Sequence, residues 1–256
     1  MLISNNRLSY LILGLLTASL ILAPQRSEAR EPDWSAYNAI LQQYVQPGNV
    51  GGTPLNFVHY ARIKSDSRWP GVVTQVAQFP VAQLADRNER LAFYINAYNI
   101  LAINLIVQNH PVRSINDLKQ GDMTVWKRTA GTVGGREISL DELEHGIIRG
   151  MGEARIHFAV VCASVGCPDL RREAYMGAKL NAQLSDQTRS FLRNPAKGLR
   201  MDGNVARVSK LFEWFRSDFE KQSGSVQGFL KQYRPDLPVN LMIRTDLPYD
   251  WSLNGR

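Results

Sequence analysis

Both cysteines of this chain lie in one short stretch, Arg155 to Asp169, together with one of its four histidines. The stretch runs from apolar residues through Cys162-Ala163-Ser164-Val165-Gly166-Cys167 into Pro168. This order predicts a buried β-strand, a loop of small residues and a helix that starts at Pro168. Strand–loop–helix junctions often hold reactive groups, because the strand aims the loop and the helix N-terminus offers free N–H donors. We therefore expect the functional site at this junction.

The cysteine pair allows three chemistries. In an exported protein, a disulfide between Cys162 and Cys167 is the first expectation, with a modest stabilisation of about 1–2 kcal/mol because the loop is short. A catalytic thiol is the second. A metal or redox site is the third: two thiolates could bind zinc if His157 or His145 completed the ligand set, whereas the C-x-x-C spacing of thioredoxin-like proteins is missing.

The expected secondary structure separates the two thiols. On a strand, His157 and Cys162 are an odd number of residues apart, so they should point to opposite faces, with Cys162 in the core. Cys167 instead falls at the N-cap of the helix predicted to begin at Pro168, where the dipole and free N–H groups favour a thiolate and could hold an oxyanion. If one cysteine is a nucleophile, we expect it to be Cys167; a bond to Cys162 would silence it.

A second polar group is predicted on a helix after the capping box Ser139-Leu140-Asp141-Glu142. Glu144, His145 and Arg149 follow on this helix, which should run to about Arg149. They could form a solvated ion-pair face, or His145 could act as a general base or metal ligand if the helix faces the cysteine loop. His157 has the same two interpretations, a structural ring or a site base.

Asn96 and Asn99 lie in an apolar helix predicted from about Arg87 to Gln108, after the capping-box-like Asp86-x-x-Glu89. A buried amide needs partners, since leaving it unpaired costs roughly 1–3 kcal/mol. The two amides could pin a neighbouring loop, or could orient a substrate carbonyl or a catalytic histidine. The asparagines and the charges at its start indicate a core helix that does not span a membrane.

The N-terminus has the pattern of a targeting segment. Arg7 precedes an apolar run from Leu11 to Leu22, and Ser27-Glu28-Ala29 resembles a cleavage signal, so residues 1–29 are predicted to be removed on export to a periplasmic or extracellular location. The net charge of the full chain is +7, with the basic residues scattered. Without a basic cluster, this charge does not indicate nucleic-acid binding.

The remaining residues, 30–256, are expected to form one α+β domain: a central buried helix, several packing helices and a small mixed or antiparallel sheet. The spacing predicts further helices near 34–45, 180–192, 210–221 and 225–233, a hairpin closing at Gly134-Gly135, a tight turn at Asp202-Gly203-Asn204 and a strand at 239–243. The aromatic residues Phe212, Trp214, Phe215 and Phe219 are expected to be core packing. No glycine loop for phosphates, dinucleotide fingerprint or serine elbow is visible, so no cofactor is expected.

Several motifs together resemble the family called domain of unknown function 547. They are Ala92-Phe93-Tyr94-Ile95-Asn96-Ala97-Tyr98-Asn99, Ser139 to Arg149, Arg155-Ile156-His157-Phe158-Ala159, Cys162-Ala163-Ser164-Val165-Gly166-Cys167-Pro168, and Ser209 to Phe215 with Asp218-Phe219. The resemblance implies that these positions form a related set, and it gives none of them a role.

Two functions follow from these residues. In the first, the protein is an exported cysteine-dependent hydrolase or acyl transferase acting on an amide or ester, with Cys167 as nucleophile, His145 or His157 as base and Asn96 or Asn99 as the orienting amide. In the second, it is a binding or scaffolding domain held together by a Cys162–Cys167 disulfide. Either would take a small-molecule or peptide-like ligand.

Overall fold

The computed structural model of this protein describes residues 31–256. The expected targeting segment, residues 1–29, lies outside the described residues. The chain folds around one long helix, α4 (Arg87–Asn109), close to the predicted bounds. Its first turn is capped by Asp86, whose carboxylate accepts hydrogen bonds from the backbone N–H groups of Asn88 and Glu89.

Helix α4 is apolar on nearly every face and is surrounded by protein. By length and composition alone it could cross a membrane, yet 89% of its most apolar 18-residue window is buried inside the fold. A helix that is hydrophobic all round and enclosed in this way is the core helix of a domain. It can therefore position side chains toward several neighbouring elements at once.

The chain before α4 covers one side of it. Its elements are α1 (Ser35–Tyr44), β1 (Val45–Val50), β2 (Thr53–Val58), α2 (Tyr60–Lys64) and α3 (Trp69–Gln78). Strands β1 and β2 form an antiparallel hairpin. The apolar faces of these helices, including Ile40, Ile63 and Val76, join the same core cluster as α4.

A second hairpin, β3 (Thr129–Val133) and β4 (Arg136–Ser139), follows α4 and confirms the turn predicted at Gly134-Gly135. Both glycines have positive φ, 58° and 83°, which side chains with a Cβ rarely adopt. The helix predicted next begins where expected, because the Ser139 hydroxyl accepts from the Glu142 N–H at 3.0 Å. Residues Glu142–Ile148, however, form a π-helix, followed by a 3₁₀ turn, Arg149–Met151.

The C-terminal part has its own aromatic cluster, built on Phe158, Phe212, Phe219 and Phe229. Its elements are α5 (Leu180–Arg193), β5 (Leu199–Asp202), β6 (Val205–Ser209), α6 (Leu211–Trp214), α7 (Arg216–Ser223), α8 (Val226–Tyr233) and β7 (Met242–Leu247). The strands form one mixed sheet, with β6 antiparallel to β5 and parallel to β7. This confirms an α+β fold with a central helix and a small mixed sheet.

The secondary structure predicted around the cysteines is wrong. Residues Ala154–Phe158 form a 3₁₀ helix instead of a strand. Their apolar side chains are buried as expected, but none of the strands described in residues 31–256 pairs with them. Just after this helix, the side chain of Asn99 satisfies the backbone of Ala159 and Val161. Residues 168–176 contain no helix after Pro168, and the next helical turn is Gly177–Lys179.

Two smaller differences lie near the C-terminus. The helix expected over 210–221 is interrupted at Phe215, whose φ of −114° and ψ of 24° divide it into α6 and α7. The final strand lies at Met242–Leu247, a few residues after its predicted position, because it pairs with β6 over that range. The break at Phe215 matters for the site, since it turns the end of α6 outward.

Candidate functional site

The loop between the two cysteines is held by the C-terminal tail. Gly166 and Val165 donate backbone hydrogen bonds to the carbonyls of Asp250 and Ser252, and Asn254 donates to the carbonyl of Ala163. Ala163 has a positive φ of 62°, which a non-glycine residue adopts only when its surroundings require it. Cys162 and Cys167 form a disulfide.

Two hydroxyl groups sit against this bond. The Tyr249 hydroxyl lies 3.1 Å from the Cys167 Sγ and 3.3 Å from the Cys162 Sγ. The Ser164 hydroxyl is 3.3 Å from each sulfur. Burial raises the pKa of Tyr249 well above its usual range, so the phenol keeps its proton and can act as a donor.

The disulfide forms part of the wall of a cavity of about 260 Å³, which is large enough for a small organic molecule. The wall brings together residues from α4, the π-helix, the 3₁₀ helix before the cysteines, the start of the C-terminal helices and the tail. The lining side chains include Tyr98, Trp126, Asp141, Glu144, His145, His157, Cys162, Cys167, Trp214, Phe215, Tyr249 and Trp251.

His157 is fully buried at one wall of this cavity and is held by Asp218. Its Nε2 lies 2.8 Å from the Asp218 Oδ2, and its ring stacks on Phe215 with 3.8 Å between the centroids. Arg149 binds the same carboxylate through two nitrogens, at 2.8 and 3.0 Å. The hydrogen bond from His157, together with Arg149, holds the pKa of Asp218 well below its usual range.

The protonation of His157 follows from these contacts. Burial lowers the pKa of the imidazole, with a partly opposing effect of Asp218, so the ring is neutral near neutral pH. An ionised carboxylate can only accept, which places the single ring proton on Nε2. Nδ1 then carries a lone pair, and among the described residues it has no hydrogen-bond partner. His157 contributes to the cavity wall, and its side chain, Nδ1 included, is covered by protein.

His145 and Glu144 reach the cavity from the π-helix. The Nδ1 of His145 lies 3.1 Å from the Arg149 Nη1, and its Nε2 is 3.8 Å from the Asp141 carboxylate. Burial raises the pKa of Glu144, while His145 and the Tyr98 hydroxyl partly oppose that rise. The π-helix therefore presents an exposed imidazole, that of His145, and a carboxyl group, that of Glu144, whose ionisation is disfavoured by burial.

Aromatic side chains form the outer wall. Trp214 and Trp251 stack with 6.0 Å between their centroids, Tyr249 lies 4.9 Å from Trp214, and Trp126 lies 6.1 Å from Trp251. Trp214 is 45% exposed. The prediction that it belongs to the core is therefore wrong, because the break at Phe215 leaves Trp214 on the surface while Phe212 and Phe219 remain buried.

Asn96 and Asn99 lie outside the cavity lining. The Asn96 amide accepts a hydrogen bond from the Tyr175 N–H at 2.9 Å and donates one to the Tyr175 carbonyl at 2.8 Å. The Asn99 amide donates to the Ala159 carbonyl at 2.9 Å and accepts from the Val161 N–H at 2.8 Å. Both amides thus bind main chain, and Asn99 fixes the segment that leads directly into Cys162.

The cavity joins most of the residues that the sequence singled out. It contains Cys162, Cys167, Glu144, His145 and His157, and Arg149 contacts His145 and Asp218 behind it. The expectation that His157 and Cys162 face apart depended on the strand and is wrong, since both line one cavity. Across residues 31–256, no group of three or more histidine, cysteine and acidic side chains is arranged to hold a metal ion.

Sequence reasoning missed Asp218, Tyr98, Tyr249 and three tryptophans of the wall. Asp218 belongs to one of the motifs on which the family resemblance rests. Its partner His157 lies 61 residues away in the sequence, so no local sequence pattern could pair the two residues. Tyr249 and Trp251 follow the last predicted strand in the sequence. Their concentration within a few residues of the C-terminus, on a segment rich in tryptophan and tyrosine, is the signal that could have marked a binding wall.

Comparison with known proteins identifies a family for the central part of the chain. A family model described as "Protein of unknown function, DUF547" matches residues 81–192. No curated protein and no solved structure matches the chain. The matched range holds α4, the π-helix and both cysteines, whereas Asp218, Tyr249 and the outer tryptophans lie beyond it. Residues 81–192 of this chain are thus similar to the DUF547 family of proteins of unknown function.

Proposed function

We propose that this protein is a binding domain for a small organic molecule that enters the cavity beside the Cys162–Cys167 bond and donates hydrogen bonds there. The observation that carries the proposal is the buried, unpartnered Nδ1 of His157, a residue of the wall of that cavity. A buried acceptor without a partner costs about 1–3 kcal/mol, so a donor on a ligand would recover that free energy.

The rest of the wall favours a positively charged ligand. Asp141 supplies carboxyl oxygens, and the tryptophans and Tyr249 present aromatic faces, which attract cations. Glu144 adds a carboxyl group whose raised pKa reduces its negative charge. Lys127 also lines the cavity and would repel a positively charged ligand. Lys127 is exposed, however, and its long side chain can extend into water. The chemistry that fits these groups is an organic ammonium with an apolar body.

The proposal is tested with three ligands of similar shape: benzylamine, benzyl alcohol and benzoate. Binding is followed by tryptophan fluorescence and by calorimetry. We expect benzylamine to bind most tightly and benzoate least. Equal affinity for all three would contradict the electrostatic argument, and the failure of every member of a wider panel of organic amines to bind would contradict the binding function.

A second function, cysteine-dependent hydrolysis of an ester or amide, is favoured by the pairing of His157 with Asp218. A base oriented by a carboxylate on the same cavity as a cysteine is the arrangement of thiol hydrolases. The disulfide occupies both sulfurs, so this function requires a reduced protein. In the wild type, hydrolysis of p-nitrophenyl acetate should then appear only after reduction of the disulfide. The activity should persist in Cys162→Ser and disappear in Cys167→Ser. Equal rates in all three proteins would exclude cysteine-dependent hydrolysis.

We also propose that the protein is exported with residues 1–29 removed. The pattern from Arg7 to Ala29 supports this, and a disulfide is typical of oxidising compartments. Expression of the full chain in a bacterium, followed by cell fractionation and intact mass measurement, tests the proposal. A protein beginning at Arg30 outside the cytoplasm is the expected result; the full-length mass in the cytoplasm would contradict it.

A further inference from the structure

The two sulfurs of the Cys162–Cys167 bond differ in exposure. Both cysteines line the cavity, but Cys162 is half-buried whereas Cys167 is 1% exposed. A reagent that enters the cavity therefore has better access to the Cys162 Sγ. In thiol–disulfide exchange, the accessible sulfur is attacked and the other leaves as a thiolate.

Three donors converge on the sulfur that would leave. The Cys162 N–H lies 3.1 Å from the Cys167 Sγ, the Tyr249 hydroxyl 3.1 Å and the Ser164 hydroxyl 3.3 Å. A disulfide sulfur carries no proton, so each of these groups can only donate to it. The same donors would stabilise a Cys167 thiolate, and a thiol of lower pKa is a better leaving group.

The groups around the bond do not oppose this negative charge strongly. The charge of Glu144 contributes to the raised pKa of Tyr249. Burial raises the pKa of Glu144 itself, which reduces the negative charge on that carboxyl group. His157 lies in the wall of the same cavity, but its side chain is covered by protein and Nδ1 is buried, so no role as a base for the entering thiol is assigned to it. The cavity thus holds donors for the leaving group.

We propose that the cavity carries out thiol–disulfide exchange with low-molecular-weight thiols, in which Cys162 forms the mixed disulfide and Cys167 leaves as the thiolate. The proposal rests on the proposed function in one respect, that a small molecule enters this cavity. The Asp141 side chain and the aromatic faces of the wall favour a thiol that also carries an ammonium group.

The exchange balances in two steps. A thiolate attacks the Cys162 Sγ, a new S–S bond forms to that sulfur, the Cys162–Cys167 bond breaks, and its electron pair goes to the Cys167 Sγ. A second thiolate attacks the small-molecule sulfur of the mixed disulfide and releases the Cys162 thiolate. Two thiols are oxidised to one disulfide, the protein gains two electrons, and the protons of the two thiols end on Cys162 and Cys167.

Trapping of the mixed disulfide tests the order of events. Oxidised protein in native buffer is mixed with cysteamine, quenched in acid, alkylated with N-ethylmaleimide under conditions that preserve disulfides, and mapped by peptide mass. We expect cysteamine on Cys162 and the maleimide on Cys167. Cysteamine on Cys167, or a bond that reacts only after urea is added, would overturn the proposal.

Substitutions separate the donor effect from general stability. Tyr249→Phe and Ser164→Ala each remove one donor, so each should slow release of Cys167 by about tenfold, the usual effect of one hydrogen bond to a charged sulfur. Tyr233→Phe, at a half-buried tyrosine outside the cavity lining, is the control and should leave the rate unchanged. Equal rates for all three variants and the wild type, with unchanged melting temperatures, would remove the role of the donors.

Comparison of thiols distinguishes this proposal from ligand binding. Cysteamine should react faster than the anionic mercaptoethanesulfonate after correction for their thiol pKa values. If benzylamine binds and neither thiol reacts, exchange is overturned and binding stands. If Cys162 reacts while no amine binds, exchange stands and the binding function is overturned. If neither occurs, the cavity is closed and both proposals fail.

Discussion

At the scale of single residues, the protonation of His157 and of Glu144 decides what the cavity can bind. The ring of His157 offers an acceptor because Asp218 holds its only proton on Nε2. Glu144 has a raised pKa because it is buried, so its ionised form is disfavoured in the folded protein. One residue gives a fixed acceptor, and the other gives a carboxyl whose charge depends on pH.

Replacement of His157 by glutamine should weaken binding of benzylamine by about tenfold or more, since a hydrogen bond to a charged group contributes about 1.5–3 kcal/mol. The measurement is calorimetry at neutral pH. His59→Gln is the matched control, because His59 lies at the start of α2 and outside the cavity lining. Equal affinity of both variants and the wild type would contradict the role of Nδ1.

Replacement of Glu144 by glutamine should stabilise the protein at alkaline pH and have little effect in acid. The folded-state pKa of Glu144 is above its unfolded value, so the folded protein binds more protons in the window between them. The wild type therefore loses stability as pH rises through that window, and the glutamine variant does not. Melting temperatures at pH 4 and pH 8 test this, with exposed Glu137→Gln as control; no gain at pH 8 would contradict it.

At the scale of elements, helix α4 positions the cysteine loop through Asn99. The amide of Asn99 holds the backbone of Ala159 and Val161, and that of Asn96, one turn earlier, holds Tyr175 in the same manner. The two residues have equivalent hydrogen bonds but different neighbours. They therefore allow the positioning of the loop to be separated from stability.

Asn99→Ala and Asn96→Ala should each destabilise the protein, by about 1–3 kcal/mol for each buried backbone group left unpaired. Only Asn99→Ala should also lower the affinity for benzylamine, because only Asn99 fixes the segment before Cys162. Urea unfolding and calorimetry on both variants measure these effects. A similar loss of affinity in Asn96→Ala would show that the effect is general destabilisation.

At the scale of the whole molecule, the disulfide is expected to add modestly to stability while the fold persists without it. Its loop is short, so it restricts few unfolded conformations and should contribute about 1–2 kcal/mol. Urea unfolding with and without dithiothreitol tests this, with circular dichroism of the reduced protein as the control for folding. A loss of the folded state on reduction alone would show that the bond is required for the fold.

Much of the architecture could be predicted from local patterns. Helix α4, its Asp86 cap, the turn at Gly134-Gly135 and the Ser139 cap before the π-helix all depend on neighbouring residues. The strand assigned to 155–162 failed because an apolar run is equally compatible with a buried 3₁₀ turn. The site could be predicted only in part, because two of its residues come from distant segments of the sequence. Asp218 is the hydrogen-bond partner of His157, and Tyr249 supplies a hydroxyl group beside the cysteines.

The indole N–H signals of the five tryptophans can show whether the cavity beside the disulfide binds a ligand. Trp126, Trp214 and Trp251 line it, while Trp34 and Trp69 are buried in the core, 2% and 3% exposed. The experiment is a titration of ¹⁵N-labelled protein with benzylamine, followed through the indole N–H resonances. The account predicts saturable shifts of the first three signals and none of the other two; five stationary signals, or equal shifts of all five, would contradict it.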